Sequence, residues 1–320
     1  MKKFLVFLFS AVIVLSLFSV KTANAQDVSE SDSTSNDLAN RIERTTQEIC
    51  DTITDRTAFT SAGEYAAEWI AKRLKDLGID NVKVQEFSEQ ATKMSGLKYE
   101  TVTIYGYNVT AFLDFGKKDT VLFSVPLSNH YSANEGMSGT KAEGALYYAT
   151  SIAFALELAK EYKGSADCPY NVAFAFVAGT DEGNFGSKKY IQSVDYNLML
   201  VVNVERIGCG TTYFYAGERK SELSEKANSV FGEYDIKEFP YAGKIWLPMK
   251  VIDGAEYSTY AMRGDYASYV SAGYSTLGII GGDFSGGVNS EGGEYVGLSP
   301  NDTFMNLKKI MLITARKSPF

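Results

Sequence analysis

The stretch FVAGTDEGNFGSKKY, residues 176–190, changes character twice. It begins inside a short apolar run, NVAFAFVAG (171–179), bounded by turn formers, the pattern of a strand buried on both faces. Thr180 to Asn184 then place acidic residues and a glycine in a tight turn, and a helix follows from about 185. A strand, an acidic turn and a helix in that order make one β–α unit, and the fold depends on whether the flanking sequence repeats it.

The unit does repeat. Downstream come a strand LMLVVNVE (198–205), a helix from about 221, a helix over 266–272, a strand STLGIIG (275–281) and a closing helix from about 302. Upstream lies a helix over 149–163, preceded by VKVQEF (82–87), YETVTIYG (99–106), NVTAFLDF (108–115) and TVLFSVPL (120–127), which read as four strands separated by turn residues. Two helices come earlier still. One, about 37–53, has Leu38, Ile42, Ile49 and Ile53 along one side. The other opens on Ser61-Ala62-Gly63-Glu64, the spacing of a capping box, and carries Tyr65, Ala66, Trp69, Ile70, Leu74 and Leu77 at three-to-four-residue steps until Gly78. Strands alternating with helices imply an α/β three-layer sandwich, a mixed, mostly parallel sheet with helices on both faces. In such sheets sites form where loops leave the carboxyl ends of the strands, here after 127, 179, 205 and 281.

The N-terminus reads as a secretory signal peptide over 1–25: Lys2 and Lys3, an apolar run from Phe4 to about Val20, then Ala23-Asn24-Ala25 with small residues around a cut. Its removal takes three lysines and no acid, leaving 28 basic against 39 acidic residues, a net charge of −11. An acidic exported chain is a poor nucleic-acid binder, and no stable membrane insertion is expected once the leader is cut. Residues 26–37, QDVSESDSTSND, have almost nothing to bury and read as a disordered tether. Residues 38–320 form one domain. Cys50, Cys168 and Cys209 are an odd number, and Cys168 precedes one strand while Cys209 follows another, so parallel strands would hold those two thiols apart.

Eight blocks carry a resemblance: DRTAFTSAGEYAAEWIAKRLKDLGI (55–79), YNVTAFLDFG (107–116), TVLFSVPLS (120–128), GALYYATSIAFALELAK (144–160), FVAGTDEGNFGSKKY (176–190), VVNVERIG (201–208), GDYASYVSAGYSTLGI (264–279) and LSPNDT (298–303). In order and spacing the chain resembles the bacterial leucyl-aminopeptidase-like zinc peptidases of peptidase family M28. The resemblance implies the zinc-aminopeptidase fold and a cleft that, in the family's enzymes, holds two zinc ions on five side chains with a glutamate as general base. Zinc requires imidazole nitrogen or carboxylate oxygen at about 2.0–2.2 Å and lowers the pKa of its water to about 7.

The resemblance fails at those side chains. The family's His-x-Asp falls on Pro126 and Ser128, or with a four-residue slip on His130 and Ser132; the bridging Asp becomes Tyr147. The general base becomes Thr180 and the adjacent ligand Asp181, unless a one-residue gap makes Asp181 and Glu182 the acidic pair. The next Asp becomes Glu205, and the last histidine falls on Leu298, while Gly183, Gly186 and Ser187 are retained. The expectation is a pseudopeptidase with no metal and no cofactor, binding a peptide or protein in a cleft lined by Tyr147, Thr180, Asp181, Glu182 and Glu205. The alternative is an active metallo-aminopeptidase with zinc on a rearranged set, at most His130, Glu182 and Glu205.

Other signals are weaker. His130 beside Ser128 and Ser132 has no Gly-x-Ser-x-Gly elbow to support a serine hydrolase. GGDFSGGVNSEGGEYVG (281–297) lacks the lysine and helix start of a phosphate cradle and reads as a loop over the cleft. Tyr147, Tyr148, Tyr266 and Tyr269 suit either a binding groove or ordinary packing.

Overall fold

The computed structural model describes residues 30–95, 98–129, 143–208, 211–216, 222–232, 236–238, 264–282 and 302–305. The expected signal peptide, nearly all of the glycine-rich stretch 281–297, and the closing helix beyond 305 lie outside the described residues, as do His130, Ser132, Cys209 and Leu298. In chain order the elements are α1 (Glu30–Thr52), α2 (Ser61–Asp76), β1 (Asn81–Ser95), β2 (Lys98–Leu113), β3 (Asp119–Pro126), a π-helical turn (Ala145–Ala149) leading into α3 (Thr150–Gly164), β4 (Asn171–Val177), α4 (Phe185–Ser193), β5 (Asn197–Glu205), β6 (Thr211–Tyr215), α5 (Glu222–Phe231), β7 (Lys237–Glu238), α6 (Asp265–Ser271) and β8 (Thr276–Gly282).

The strands form one sheet in the order β1-β2-β4-β3-β5-β8-β6-β7. Its centre, β4-β3-β5-β8, is parallel, and antiparallel pairings attach β2 on one side and β6 on the other. β3 shows how the sequence builds three layers. Val121, Phe123 and Val125 enter the larger core, with Ile152, Leu156 and Ala159 of α3 and Ile42 and Ile49 of α1. Leu122 points the other way, into a second core with Tyr190 of α4 and Tyr269 of α6. β4 divides likewise: Val172, Phe174 and Phe176 face the α1/α3 side, Ala173, Ala175 and Val177 the α4/α6 side, where the small alanines leave room for tyrosine rings. Full burial of each such aliphatic or aromatic side chain contributes about 1.5–3 kcal/mol, which is why both faces are apolar.

Four details differ from the sequence reading. α1 begins at Glu30, so its first residues fall in the stretch assigned to a tether. The cap of α2 is Thr60, whose Oγ1 accepts from the Gly63 N–H at 3.3 Å, rather than Ser61. The segments 99–106 and 108–115 are one strand, β2. Gly106 does not break it: the glycine pairs with Phe87 across the ribbon, and a Cβ there would lie 2.4 Å from that ring. Finally, β6 and β7 were not foreseen, although TTYFY has the β-branched and aromatic composition of a strand. Cys50 and Cys168 are buried free thiols.

Candidate functional site

The acidic turn after β4 is held from both ends by one side chain. Asn108 of β2, fully buried, accepts from the Ala178 N–H at 3.0 Å and donates to Gly186 O at 2.9 Å and Gln85 Oε1 at 3.0 Å. Ser128 Oγ accepts from the Gly179 N–H at 3.3 Å, and the Gly186 N–H returns to Ala178 O at 2.9 Å. Gly186 is required here: a Cβ would sit 2.4 Å from both Ala178 O and Asn108 Oδ1. Ser187 Oγ donates to Asn184 O at 3.2 Å and completes the turn. The glycine of the motif thus serves the loop's shape, while the Ser187 hydroxyl also reaches the Asp265 carboxyl.

The turn aims Thr180 inward and Asp181 outward. Thr180, buried, donates through Oγ1 to Asp265 Oδ2 at 2.6 Å. Asp265 is the first residue of α6 and fully buried. Burial, and then the charge of Glu205, push its carboxyl from 3.8 up to about 8, against the Thr180 hydroxyl. Glu205, at the end of β5, is buried as well, and burial raises its pKa against the Arg206 guanidinium, a hydrogen bond from Asn203 and the Asp265 backbone N–H. The Asn203 bond, Nδ2 to Glu205 Oε1, is 2.7 Å. Gly264 lies against the same carboxylate: a Cβ there would come within 2.6 Å of Oε1. Asp181 is exposed, and its charge acts on both Glu205 and Asp265.

The π turn forms the opposite wall. Arg56, fully buried, donates to Ile53 O at 2.9 Å, Glu143 O at 3.1 Å and Gly144 O at 3.0 Å. Asp302, also buried, accepts from the Leu146 N–H at 2.8 Å, and its carbonyl accepts from the Gly144 N–H at 3.0 Å. Held this way, Tyr148 adopts φ +89, a conformation a bulky residue rarely takes. Its hydroxyl makes a long contact, 3.5 Å, with Asp181 Oδ2. The sequence places Tyr147 in the cleft lining; its side chain lies outside the described residues, and the adjacent Tyr148 makes the contact with Asp181.

Of the residues singled out from sequence, Thr180, Asp181 and Glu205 converge, and Glu182 stands half-buried in the same turn. Asp265, Asn203 and Arg206 were missed, and Tyr148 was named only as a residue for a groove or for packing. Asp265 carried one signal, an acid opening a helix whose next residues are apolar. Among the described residues no three histidines, cysteines, aspartates or glutamates are grouped so as to hold a metal ion. The donors present fit a metal poorly: Thr180 donates where a base would accept, and Glu205 Oε1 accepts from Asn203. What the arrangement provides is a buried floor in which Thr180 and Glu205 are engaged from within the chain, while Asp265 Oδ1 and Asn203 Oδ1 have no hydrogen-bond partner among the described residues, with an exposed carboxylate at its rim.

The model of Peptidase family M28 matches residues 108–315. None of the curated proteins matches the chain in sequence. Among solved structures, an aminopeptidase from Aneurinibacillus sp. strain AM-1 aligns with a TM-score of 0.60 at 13% identity, covering 87% of this chain and 93% of that one. BSAP, a zinc aminopeptidase from Bacillus subtilis, gives 0.60 at 11% identity, with 88% and 96% covered. The Porphyromonas gingivalis glutaminyl cyclase gives 0.58 at 12% identity, with 87% and 96% covered. At these identities the likeness is one of fold.

Proposed function

The chain belongs to peptidase family M28, and from that premise we propose that it is an exported, non-catalytic member whose former active cleft binds a peptide or protein. One observation carries the reading: the Thr180 hydroxyl and the Glu205 carboxylate, both at positions of the family's site, are engaged from within the chain. Thr180, at the position of the general base, spends its proton on Asp265 at 2.6 Å, and Glu205 receives Asn203 at 2.7 Å. A hydroxyl already donating to a carboxyl does not take a proton from water. The Arg206 guanidinium supplies positive charge to Glu205 from within the chain. Export is supported by the N-terminal leader pattern, and among the described residues no helix is long and apolar enough to cross a membrane.

The ligand class follows from what remains open. Asp181 is exposed at the rim, with Glu182 beside it, and the Tyr148 hydroxyl reaches Asp181. An exposed carboxylate next to a phenol suits the ammonium group and amide hydrogens of a peptide. Hydrolysis of amino-acid anilides and dipeptides, with and without added zinc, tests the proposal. The expected rate does not exceed background and does not respond to a chelator or to Glu205→Gln. Turnover abolished by both would replace this reading with the second one, a metallo-aminopeptidase on a rearranged site, for which membership of the family speaks.

A further inference from the structure

β1 and β2 are far longer than the sheet they join. β2 pairs with β4 only over Val109–Leu113, whereas its pairing with β1 runs without a register break from Asn81↔Phe112 to Ser95↔Lys98. Among the described residues, 98–108 of β2 therefore have β1 as their only strand partner, and the two form a ribbon that leaves the body of the sheet. Because side chains alternate, its two faces can be read from the register. One face carries Glu89, which pairs with Lys189 of α4 at 3.0 Å, together with Lys98, Glu100 and the half-buried Val102 and Ile104. The other carries Tyr99, Thr101, Thr103 and Tyr105, with Thr92 and Gln90 opposite the two threonines.

All six of these residues are exposed, and none is charged. Tyr99 is 77% exposed and Tyr105 52%, and they are two of the five exposed large apolar residues among those described. In a chain of net charge −8 both charges of residues 98–105 fall on the other face, and the first charge along the tyrosine face is the exposed Glu86, opposite Tyr107 beyond Tyr105; the strip from Tyr99 to Tyr105 is neutral and holds aromatic rings, hydroxyls and one amide. Gln90 Nε2 already donates to Thr103 Oγ1 at 3.0 Å, so the polar groups sit at a fixed spacing.

We propose that this strip is a binding platform for a neutral oligosaccharide, distinct from the cleft. Two arguments select that occupant. A strip without charge offers nothing to an ionic partner, but phenol rings present flat apolar faces to the C–H side of a pyranose, and threonine hydroxyls and a glutamine amide answer its hydroxyls. Size gives the second argument. Two strands about 5 Å apart and eight residues long make a face on the order of 300 Å², well short of the roughly 800 Å² per partner of a stable protein interface. A second copy of this chain or a globular partner would not be held by it alone. Tyr99 and Tyr105, six residues apart on one strand, lie about 20 Å from each other, a reach that an extended chain of a few sugar rings covers.

Titration calorimetry of the full chain with cellohexaose, chitohexaose and mannohexaose tests the proposal, with Tyr99→Ala, Tyr105→Ala and the double variant beside the parent. The expected result is saturable binding of at least one hexaose, weakened at least tenfold by each single change and abolished in the double variant, with melting temperatures unchanged because both rings stand in solvent. Absence of binding to all three probes overturns the proposal, and so does binding that the double variant retains. Sedimentation velocity on the same proteins adds one further outcome: a dimer present in the parent and lost in the double variant would assign the strip to a second copy and overturn the sugar platform.

Discussion

Replacing Asp265 by asparagine keeps the outline of the side chain and an acceptor for the Thr180 hydroxyl, but removes the proton that the buried carboxyl holds. Burial and Glu205 push that carboxyl up to about 8, whereas in the unfolded chain an aspartate titrates near about 3.9. Between about pH 4 and pH 8 the folded chain keeps a proton that the unfolded chain has released. Stability therefore falls as pH rises through that window, by about 1.4 kcal/mol per pH unit for one proton. Below the window both states are protonated and above it both are ionised, so the slope is confined to it. The Asp265→Asn protein lacks this proton. In a chain of this size 1 kcal/mol moves the melting temperature by about 2 °C, so the melts of variant and parent should separate by about 3 °C for each pH unit between 5 and 8, the variant higher. Circular-dichroism melts at pH 5, 6, 7 and 8 measure this directly. Curves that stay parallel across the range would show that Asp265 is not held protonated in the fold, and the account of the cleft floor would be wrong.

Three substitutions probe the parts around it by urea denaturation. Thr180→Val keeps the shape but deletes the 2.6 Å bond to Asp265, and should cost about 1–3 kcal/mol because a buried acceptor loses its donor; an unchanged midpoint would show that the bond contributes nothing. Gly264→Ala places a methyl 2.6 Å from Glu205 Oε1 at φ +91, a glycine conformation whose strain is on the order of 1–3 kcal/mol; a neutral result would mean that the Glu205 carboxylate does not lie against α6. Arg56→Met strips the donors from Ile53, Glu143 and Gly144 carbonyls and leaves Asp302 buried without its cation, a loss of about 3–5 kcal/mol; a protein as stable as the parent would show that the π turn is not held from this side.

Much of this architecture is legible in the sequence because its physics is local. A parallel strand buried on both faces must be a continuous apolar run, and 120–127, 171–179 and 198–205 are such runs. Gly186 could be read as retained because a close backbone approach admits no Cβ, and Ser187 because its hydroxyl closes the turn, whatever chemistry the loop carries. Thr180, Asp181 and Glu205 could be placed together because each ends a strand of the same sheet. The missing parts depend on distance along the chain. Asp265 joins the site at the start of a helix sixty residues beyond Glu205, and nothing near it in sequence states that its carboxyl is buried against Thr180. Which tyrosine meets Asp181 is decided by the π turn, which rotates Tyr148 to φ +89; adjacent identical residues give the sequence no means of choosing. The single long β2 was hidden because Gly106 looks like a turn until Phe87 is seen across from it.

The central claim is that Thr180 and Glu205 are engaged from within the chain and that the cleft floor has no place for the family's metal. Zinc content, by elemental analysis of protein expressed in zinc-supplemented medium and dialysed without chelator, tests that most directly. The account predicts well below one zinc per chain, with no change in the Glu205→Gln protein. One or two tightly held zinc ions per chain, lost in Glu205→Gln, would contradict it.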